Sequence, residues 1–375
     1  MNRFFLLLAL FFSTPCFVIA QRADELVAAI RQKQALLQTV SYTLTRTDTL
    51  VTGTTRRMSG SAQIQRNPRD TVFGFSFRSR RDGIPSEVVY DGQVAYETDD
   101  STKIYKRISD VRQIKDLLYH PGGQVIVPDL IRLDTTKAVR FSVSQDSRYY
   151  YLTLHYPDLP AYDVTNRYKT LSVDRTSFLP MAVRHHQETL GKVQDLFYQI
   201  KNLQVNAPSF TDQFSEPDFL KTYRLQLAPL ADHKPENRLP DQPIQPFALA
   251  NFDGKTVSSS TFTGKVTLLD FWEVWCGPCL ESMPHIQQFS DKYKQAGLLV
   301  YGIIHEEKSR EAAQRWVQKK GITFPMLLGN AQSRQTFALH AIPRYVLLDR
   351  QGKISFQSEG FTPELETAIQ QALRP

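Results

Sequence analysis

Cysteine is nearly absent: 375 residues carry only Cys16, Cys276 and Cys279, so disulfides cannot be the staples of this fold. A chain this long can bury sizeable cores without them, and its length suggests two domains. Long apolar runs are missing as well. Beyond the N-terminus no stretch offers the roughly 20 apolar residues that a helix needs to span a bilayer. Nor is there a block of Lys and Arg interleaved with aromatics, so the formal charge of +7 bears on solubility and anionic surfaces, with nucleic acid not expected as a partner. A structural zinc would need about four ligands, and no second Cys/His pair lies at a suitable spacing. What is present is Trp275-Cys276-Gly277-Pro278-Cys279. Two cysteines three positions apart suit reversible disulfide chemistry, while a static bridge across so short a loop would contribute little stability. The run Lys265 to Trp272 before them reads as a buried strand and the residues after Pro278 as a helix.

The N-terminus has one early charge, Arg3, then an apolar run from Phe4 to Phe12, Ser13-Thr14-Pro15 and Val18-Ile19-Ala20. This outlines a secretory signal peptide cleaved after about Ala20, which sends the mature chain to the periplasm or otherwise outside the cytoplasm. An uncleaved anchor is the alternative, but the run is short and Pro15 interrupts it. Lipid attachment at Cys16 would want a small residue where Pro15 stands. Cleavage removes Cys16 and leaves an even pair of cysteines.

Pro229, Pro235, Pro240, Pro243 and Pro246 are spread among polar residues without apolar periodicity, the composition of an extended linker. The expected organisation is signal peptide 1–20, a first domain 21–228, linker 229–245 and a second domain 246–375. The first domain opens with a helix in which Leu26, Ile30, Leu36 and Leu37 fall at helical spacing. Alternating segments follow, such as Phe73, Phe75, Phe77 and Tyr150, Leu152, Leu154, Tyr156, with turns at Asp82-Gly83, Asp91-Gly92 and Pro121-Gly122-Gly123. That pattern predicts a curved antiparallel sheet or partial barrel whose concave apolar face is filled by a helix or by a ligand. His185 and His186 are adjacent on a strand and point to opposite faces, so with His120 they are expected to be packed or solvated, not metal ligands.

The order of elements in the first domain, with a helix before Gly60-Ser-Ala-Gln-Ile64, the hairpin Val88 to Tyr96 around Asp91-Gly92, and a closing hairpin from Leu171 through Leu179-Pro180 and Gly191 to Leu203, resembles the LolA/LolB-like lipoprotein carriers. The resemblance implies an α+β half-barrel with a helix, and a lipid or an acylated protein as its cargo. A packed, ligand-free scaffold that holds the second domain in place or pairs two chains is the competing expectation.

From Phe247 onward the chain resembles the TlpA/ResA branch of the thioredoxin family. The matching pieces are Asp253-Gly-Lys255, Gly264-Lys265, the strand into Trp272, Trp275 to Cys279, Pro284, the strand Leu298 to Ile304, an inserted helix around Ser309 to Lys319, Gly321 to Pro325, Ala341-Ile342-Pro343, Tyr345 to Asp349 and Gly352 to Ile354. The resemblance implies an α/β domain with a central mixed sheet flanked by helices, and no cofactor. Cys276, at a helix N-terminus that stabilises its thiolate, would attack, and Cys279 would resolve the mixed disulfide. Pro343 would be a cis-proline presenting the Ile342 backbone to an extended substrate segment, with Trp275 beside it. Asp270, six residues before Cys276, matches a buried carboxyl that exchanges a proton with Cys279. Glu273 is a second acid beside the site, expected to be an exposed loop residue, with a catalytic part as the lesser alternative. Relatives often carry Glu three positions after the second cysteine, where this chain has Ser282, with Glu281 one position earlier; that acid's use is not transferred. The implied activity is reduction of disulfides in client proteins, recharged by a membrane-embedded donor, with oxidase or isomerase chemistry as alternatives.

Overall fold

The computed structural model describes residues 15–208, 214, 218–226 and 244–374. Met1 to Thr14 of the expected signal peptide and most of the proline-rich linker lie outside the described residues. Among the described residues no helix is long and apolar enough to cross a membrane.

Helix α1 (Pro15–Ala35) buries Leu26, Val27 and Ile30, the one-stripe spacing of an amphipathic helix. Leu36 is 63% exposed, against the sequence expectation: the helix stops at Ala35, so the spacing that would have turned Leu36 inward no longer applies. Twelve strands follow: β1 (Thr39–Thr49), β2 (Thr55–Arg66), β3 (Phe75–Arg81), β4 (Ser86–Tyr90), β5 (Ala95–Asp99), β6 (Ile104–Ile108), β7 (Arg140–Gln145), β8 (Tyr149–His155), β9 (Val164–Asp174), β10 (Pro180–Thr189), β11 (Lys192–Val205) and β12 (Arg224–Leu225), with α2 (Val111–Asp116) between β6 and β7. They form one sheet in the order β12-β6-β5-β4-β3-β2-β1-β11-β10-β9-β8-β7. It is an open sheet, not a closed barrel, and every described pairing is antiparallel except β12 on β6, a departure from the all-antiparallel expectation.

Alternation sets the faces. In β1 Val40, Tyr42 and Leu44 are buried on one side, as period-2 geometry requires. They meet α1 and the segment 111–133, whose Ile126, Val127, Leu130, Ile131 and Leu133 join Phe75, Phe77 and Tyr90 in one core. The chain itself therefore packs this apolar face, each full side-chain burial being worth roughly 1.5–3 kcal/mol. Tyr42 secures the segment, its hydroxyl donating to Val125 O at 3.1 Å and accepting from Val127 N–H at 2.9 Å. Pro121-Gly122-Gly123, read as a hairpin turn, instead enters a 3-10 turn, Gly123–Val125. A Cβ on Gly123 would lie 1.9 Å from Leu117 O, so only glycine fits there. Lys169 and Asp129 pair at 2.6 Å, both nearly buried.

The second unit is a seven-stranded sheet of β13 (Ala248–Asn251), β14 (Thr256–Ser258), β15 (Val266–Phe271), β16 (Leu298–Ile304), β17 (Met326–Leu328), β18 (Arg344–Leu348) and β19 (Ile354–Glu359), ordered β14-β13-β17-β16-β15-β18-β19. β15, β16 and β17 run parallel, while β18 and β19 are antiparallel to their neighbours. All six residues of β15 are buried. Val266 and Leu268 pack with the helices α3 (Gly277–Tyr293), α4 (Arg310–Lys319) and α6 (Glu364–Leu373), while Leu269 and Phe271 join Phe247, Phe262 and Phe337, the last just past α5 (Ala331–Thr336). A strand buried on both faces has no need to alternate apolar with polar. Asp270 shares the parity of Val266 and Leu268, which directs it toward the core that holds α3.

Val51 and Leu190, on turns of the first sheet, belong to the same apolar cluster as Ala312, Ala313 and Trp316 of α4. Lys192 pairs with Glu311 at 2.9 Å, and Tyr162 and Asp163 bond to Glu281 and Lys319.

Candidate redox site

β15 delivers the chain to Trp272, and the loop Glu273-Val274-Trp275 brings it to Cys276, the N-cap of α3. The cap has a physical basis: Cys276 is extended (φ −90°, ψ 96°), and its Sγ accepts the backbone N–H of Cys279 at 3.3 Å. Pro278 sits in the first helical positions, where the absent N–H would have no intrahelical partner anyway. Cys276 and Cys279 are joined in a disulfide, with residue exposures of 5% and 1%. Cys276 N–H donates to Glu273 O at 3.0 Å, closing the turn that precedes the helix.

Asp270 is 1% exposed and neither carboxylate oxygen has a hydrogen-bond partner. Burial pushes its pKa up to about 8, because a charge there has lost its water without gaining a donor. Its neighbours in the sheet are Gly302 and Tyr345. Tyr345 reaches the redox helix: its hydroxyl is 2.7 Å from Ser282 Oγ, which also donates to Pro278 O at 2.9 Å and Cys279 O at 3.0 Å. Ser282, at the position where relatives often carry Glu, thus ties the first turn of α3 to β18. Nothing in the sequence signals this tie, since it needs Tyr345 from a strand far along the chain. Glu281 is exposed and accepts from the Tyr162 hydroxyl of the first unit.

The Ile342-Pro343 peptide is cis. Phe271 pairs with Arg344 in the antiparallel β15–β18 register, so one step further Pro343 comes opposite Trp272. Ile342 is partly buried against the same core, and Trp275 is 54% exposed, its indole N–H donating to Glu306 Oε1 at 3.2 Å.

Glu273 corrects a sequence expectation. It is 4% exposed, not an open-loop acid, and its Oε1 accepts the backbone N–H groups of His305 at 2.6 Å and Glu306 at 3.0 Å. Burial outweighs these bonds and raises its pKa to about 7. Its flanking residues Trp272 and Val274 are buried with it. His186 bonds to Asp195 at 2.9 Å and stacks on Tyr168, while His185 faces Tyr198. Among the described residues no group of three or more His, Cys, Asp or Glu could hold a metal ion.

A mixed sheet with a Cys-x-x-Cys at a helix N-terminus and a cis-proline at the neighbouring strand defines a thioredoxin-like unit. Residues 234–373 match the Redoxin family. Among curated relatives, the thiol-disulfide oxidoreductase ResA of Bacillus anthracis is 29% identical over 115 residues, which are 30% of this chain and 66% of ResA. Sporulation thiol-disulfide oxidoreductase A of Bacillus subtilis is 26% identical over 118 residues, 30% of this chain and 71% of the relative. A solved structure from Chlorobium tepidum, described as a candidate thiol:disulfide interchange protein DsbE, is 32% identical and covers 36% of this chain and 97% of its own, with a TM-score of 0.34. The C-terminal unit is a Redoxin/thioredoxin-like domain, and the curated relatives it is similar to are thiol-disulfide oxidoreductases. The chain spans just under two thirds of the length of ResA, and the family match begins at residue 234, after the twelve-stranded sheet.

Proposed function

We propose that this protein is an exported, periplasmic thiol-disulfide oxidoreductase that reduces disulfides of client proteins. The observation that carries the reading is Cys276 at the cap of α3, with the Cys279 N–H aimed at its sulfur: the same donor and the helix dipole stabilise a thiolate once the disulfide is reduced. In the reduced protein the Cys276 thiolate attacks one sulfur of a client disulfide; a Cys276–client bond forms and the other client sulfur leaves as thiolate. The Cys279 thiolate then attacks Cys276, closing the intramolecular disulfide and releasing the second client thiol. The client gains two electrons and the protein loses them.

Asp270 is the proton partner of Cys279. A buried carboxyl whose pKa is raised to about 8 holds its proton weakly enough near neutral pH to exchange it with a thiol, which is the role assigned to it in general acid–base terms. Ile342, Pro343 and Trp275 form the docking edge for an extended client segment, where backbone pairing supplies affinity. Recharging requires a dithiol donor reachable from outside the cytoplasm, such as a membrane-embedded one.

The twelve-stranded unit serves as a scaffold for the redox unit. Its core, already filled by α1 and residues 111–133, and its contacts through Val51, Leu190 and Lys192 support this over lipid carriage. Lipid co-purifying with the intact protein, detected by mass spectrometry and exchanged for a fluorescent acyl probe, would favour the carrier reading instead.

The decisive test of the catalytic reading is Cys279→Ser. It is expected to accumulate mixed disulfides that vanish when Cys276 is also replaced. No trapped client, together with no activity of the wild type in a disulfide-reduction assay, sinks the proposal.

A further inference from the structure

We propose that Glu273 is a positioning residue of the redox site: its carboxylate ties the loop before Cys276 to the end of β16 and thereby fixes the indole of Trp275, the residue that precedes Cys276. The ladder between β15 and β16 ends with Phe271 opposite Ile303, followed by Trp272 N–H donating to Ile303 O at 3.0 Å. Past that point the two chains diverge into loops, and backbone pairing stops. The Glu273 side chain takes over, accepting the next N–H groups of the other chain, those of His305 and Glu306. From Glu273 two short links lead to the site. Its carbonyl accepts Cys276 N–H; on the far side Glu306, whose backbone it holds, accepts the Trp275 indole N–H. The carboxylate, the Glu306 backbone, the Glu306 side chain and the indole thus form a closed chain of bonds around Val274 and Trp275.

This anchor is built from a group that changes charge. Burial, with a smaller push from the Glu306 charge, raises the Glu273 pKa to about 7 against the opposing pull of the two N–H bonds and of Arg334 of α5. The adjacent His305 ring bonds to Ser333 Oγ, and burial holds its pKa down at about 4, so it stays neutral where Glu273 titrates. Protonation removes the charge that makes the two N–H bonds strong, and Oε2 has no partner with which to share the proton. The anchor therefore loosens as pH falls through about 7, and Trp275 loses its fixed position.

The catalytic significance rests on the reading of Cys276 as the attacking sulfur, but the test does not. The oxidised full-length protein, with no client, is labelled with 15N in its tryptophan indoles, and the Trp275 signal is assigned through Trp275→Phe. Between pH 5.5 and 9 the Trp275 indole resonance is expected to shift with a midpoint near 7 in the wild type. In Glu273→Gln, which keeps an oxygen acceptor for both N–H groups but cannot ionise, the shift is expected to disappear. In Glu306→Ala, which cuts the chain of bonds at a partly exposed residue while the backbone N–H held by Glu273 remains, it is expected to disappear as well. A pH-independent Trp275 signal in the wild type overturns the proposal, as does an unchanged titration in either variant. A protein that fails to reduce clients but passes this test retains the anchor and loses only the catalytic reading.

Discussion

Replacing Asp270 by asparagine makes the energetics of the buried carboxyl measurable. Its pKa is raised by burial from 3.8 to about 8, so the native state keeps a proton that the unfolded chain gives up between those two values. The unfolded state then binds fewer protons, and stability falls as pH rises across that window. Each pH unit within it is worth about 1.4 kcal/mol, which sets the full window at roughly 6 kcal/mol. Asparagine has no such titration; its unpartnered amide carries a penalty of about 1–3 kcal/mol that does not vary with pH. From pH 5 to pH 8 the stability difference between variant and wild type should therefore shift in favour of the variant by roughly 4 kcal/mol. Glu273 is also raised and titrates in part of this range, but both proteins carry it, so it cancels in the difference. Urea unfolding of the oxidised proteins followed by tryptophan fluorescence reads the right unit, because all three tryptophans, at 272, 275 and 316, lie in the redox unit. A difference that stays constant from pH 5 to pH 8.5 refutes the reasoning, since it would mean that Asp270 ionises in the folded protein about as readily as in water.

Other perturbations test the first unit. Asp129→Ala strands the buried Lys169 ammonium and should cost about 3–5 kcal/mol, whereas the double change Asp129→Leu with Lys169→Met should recover most of that loss. Near-ultraviolet circular dichroism of its tyrosines reports the melting. Gly123→Ala forces a methyl into the Leu117 carbonyl and should destabilise the 111–133 segment by about 3 kcal/mol, seen as faster amide exchange at Val125 and Val127. If Gly123→Ala melts and exchanges like the wild type, the close approach of that carbonyl is not a constraint on the fold.

The parts of the site legible from sequence are those carried by neighbours in the chain. An apolar strand with Asp270 inside it, a Cys-x-x-Cys and a helix announce themselves by spacing, and Pro343 can be matched because several flanking elements match with it. What stays hidden depends on pairs distant in sequence. Glu273 reads as a loop acid because its acceptor role depends on N–H groups at the far end of β16, which no local pattern reveals. Ser282 reads as a lost acid because its partner Tyr345 comes from β18. In the first unit the alternation of Phe75 and Phe77 or of Leu152 and Leu154 marks the strands and the existence of an apolar face, but not its occupant. The segment 111–133 has no long periodic run, only the six-residue α2 and short 3-10 turns after it, so its part in filling the core emerges only when Tyr42 is seen holding it. Leu36 shows the same limit at small scale: spacing predicts a face only while the helix lasts.

The place of β1 in the first sheet has a consequence for how the chain is made. β1 lies mid-sheet, and its partner β11 is so remote that Thr43 and Lys201 are 158 residues apart. During synthesis, or during passage through a membrane N-terminus first, β1 can pair with β2 at once, yet its other edge waits until nearly the whole unit has emerged. Such a long-range closure is slow compared with local contacts, and an unsatisfied strand edge in the interval is a template for misassembly. The nascent chain is thus most vulnerable between the appearance of β2 and that of β11, and a chain cut short before Lys192 would be trapped in that state. The redox unit follows the vulnerable interval: β15 meets β16 across α3 and its flanking loops alone, and its other partner β18 lies much nearer to it along the chain than β11 does to β1, so its own open edge is exposed for a shorter time.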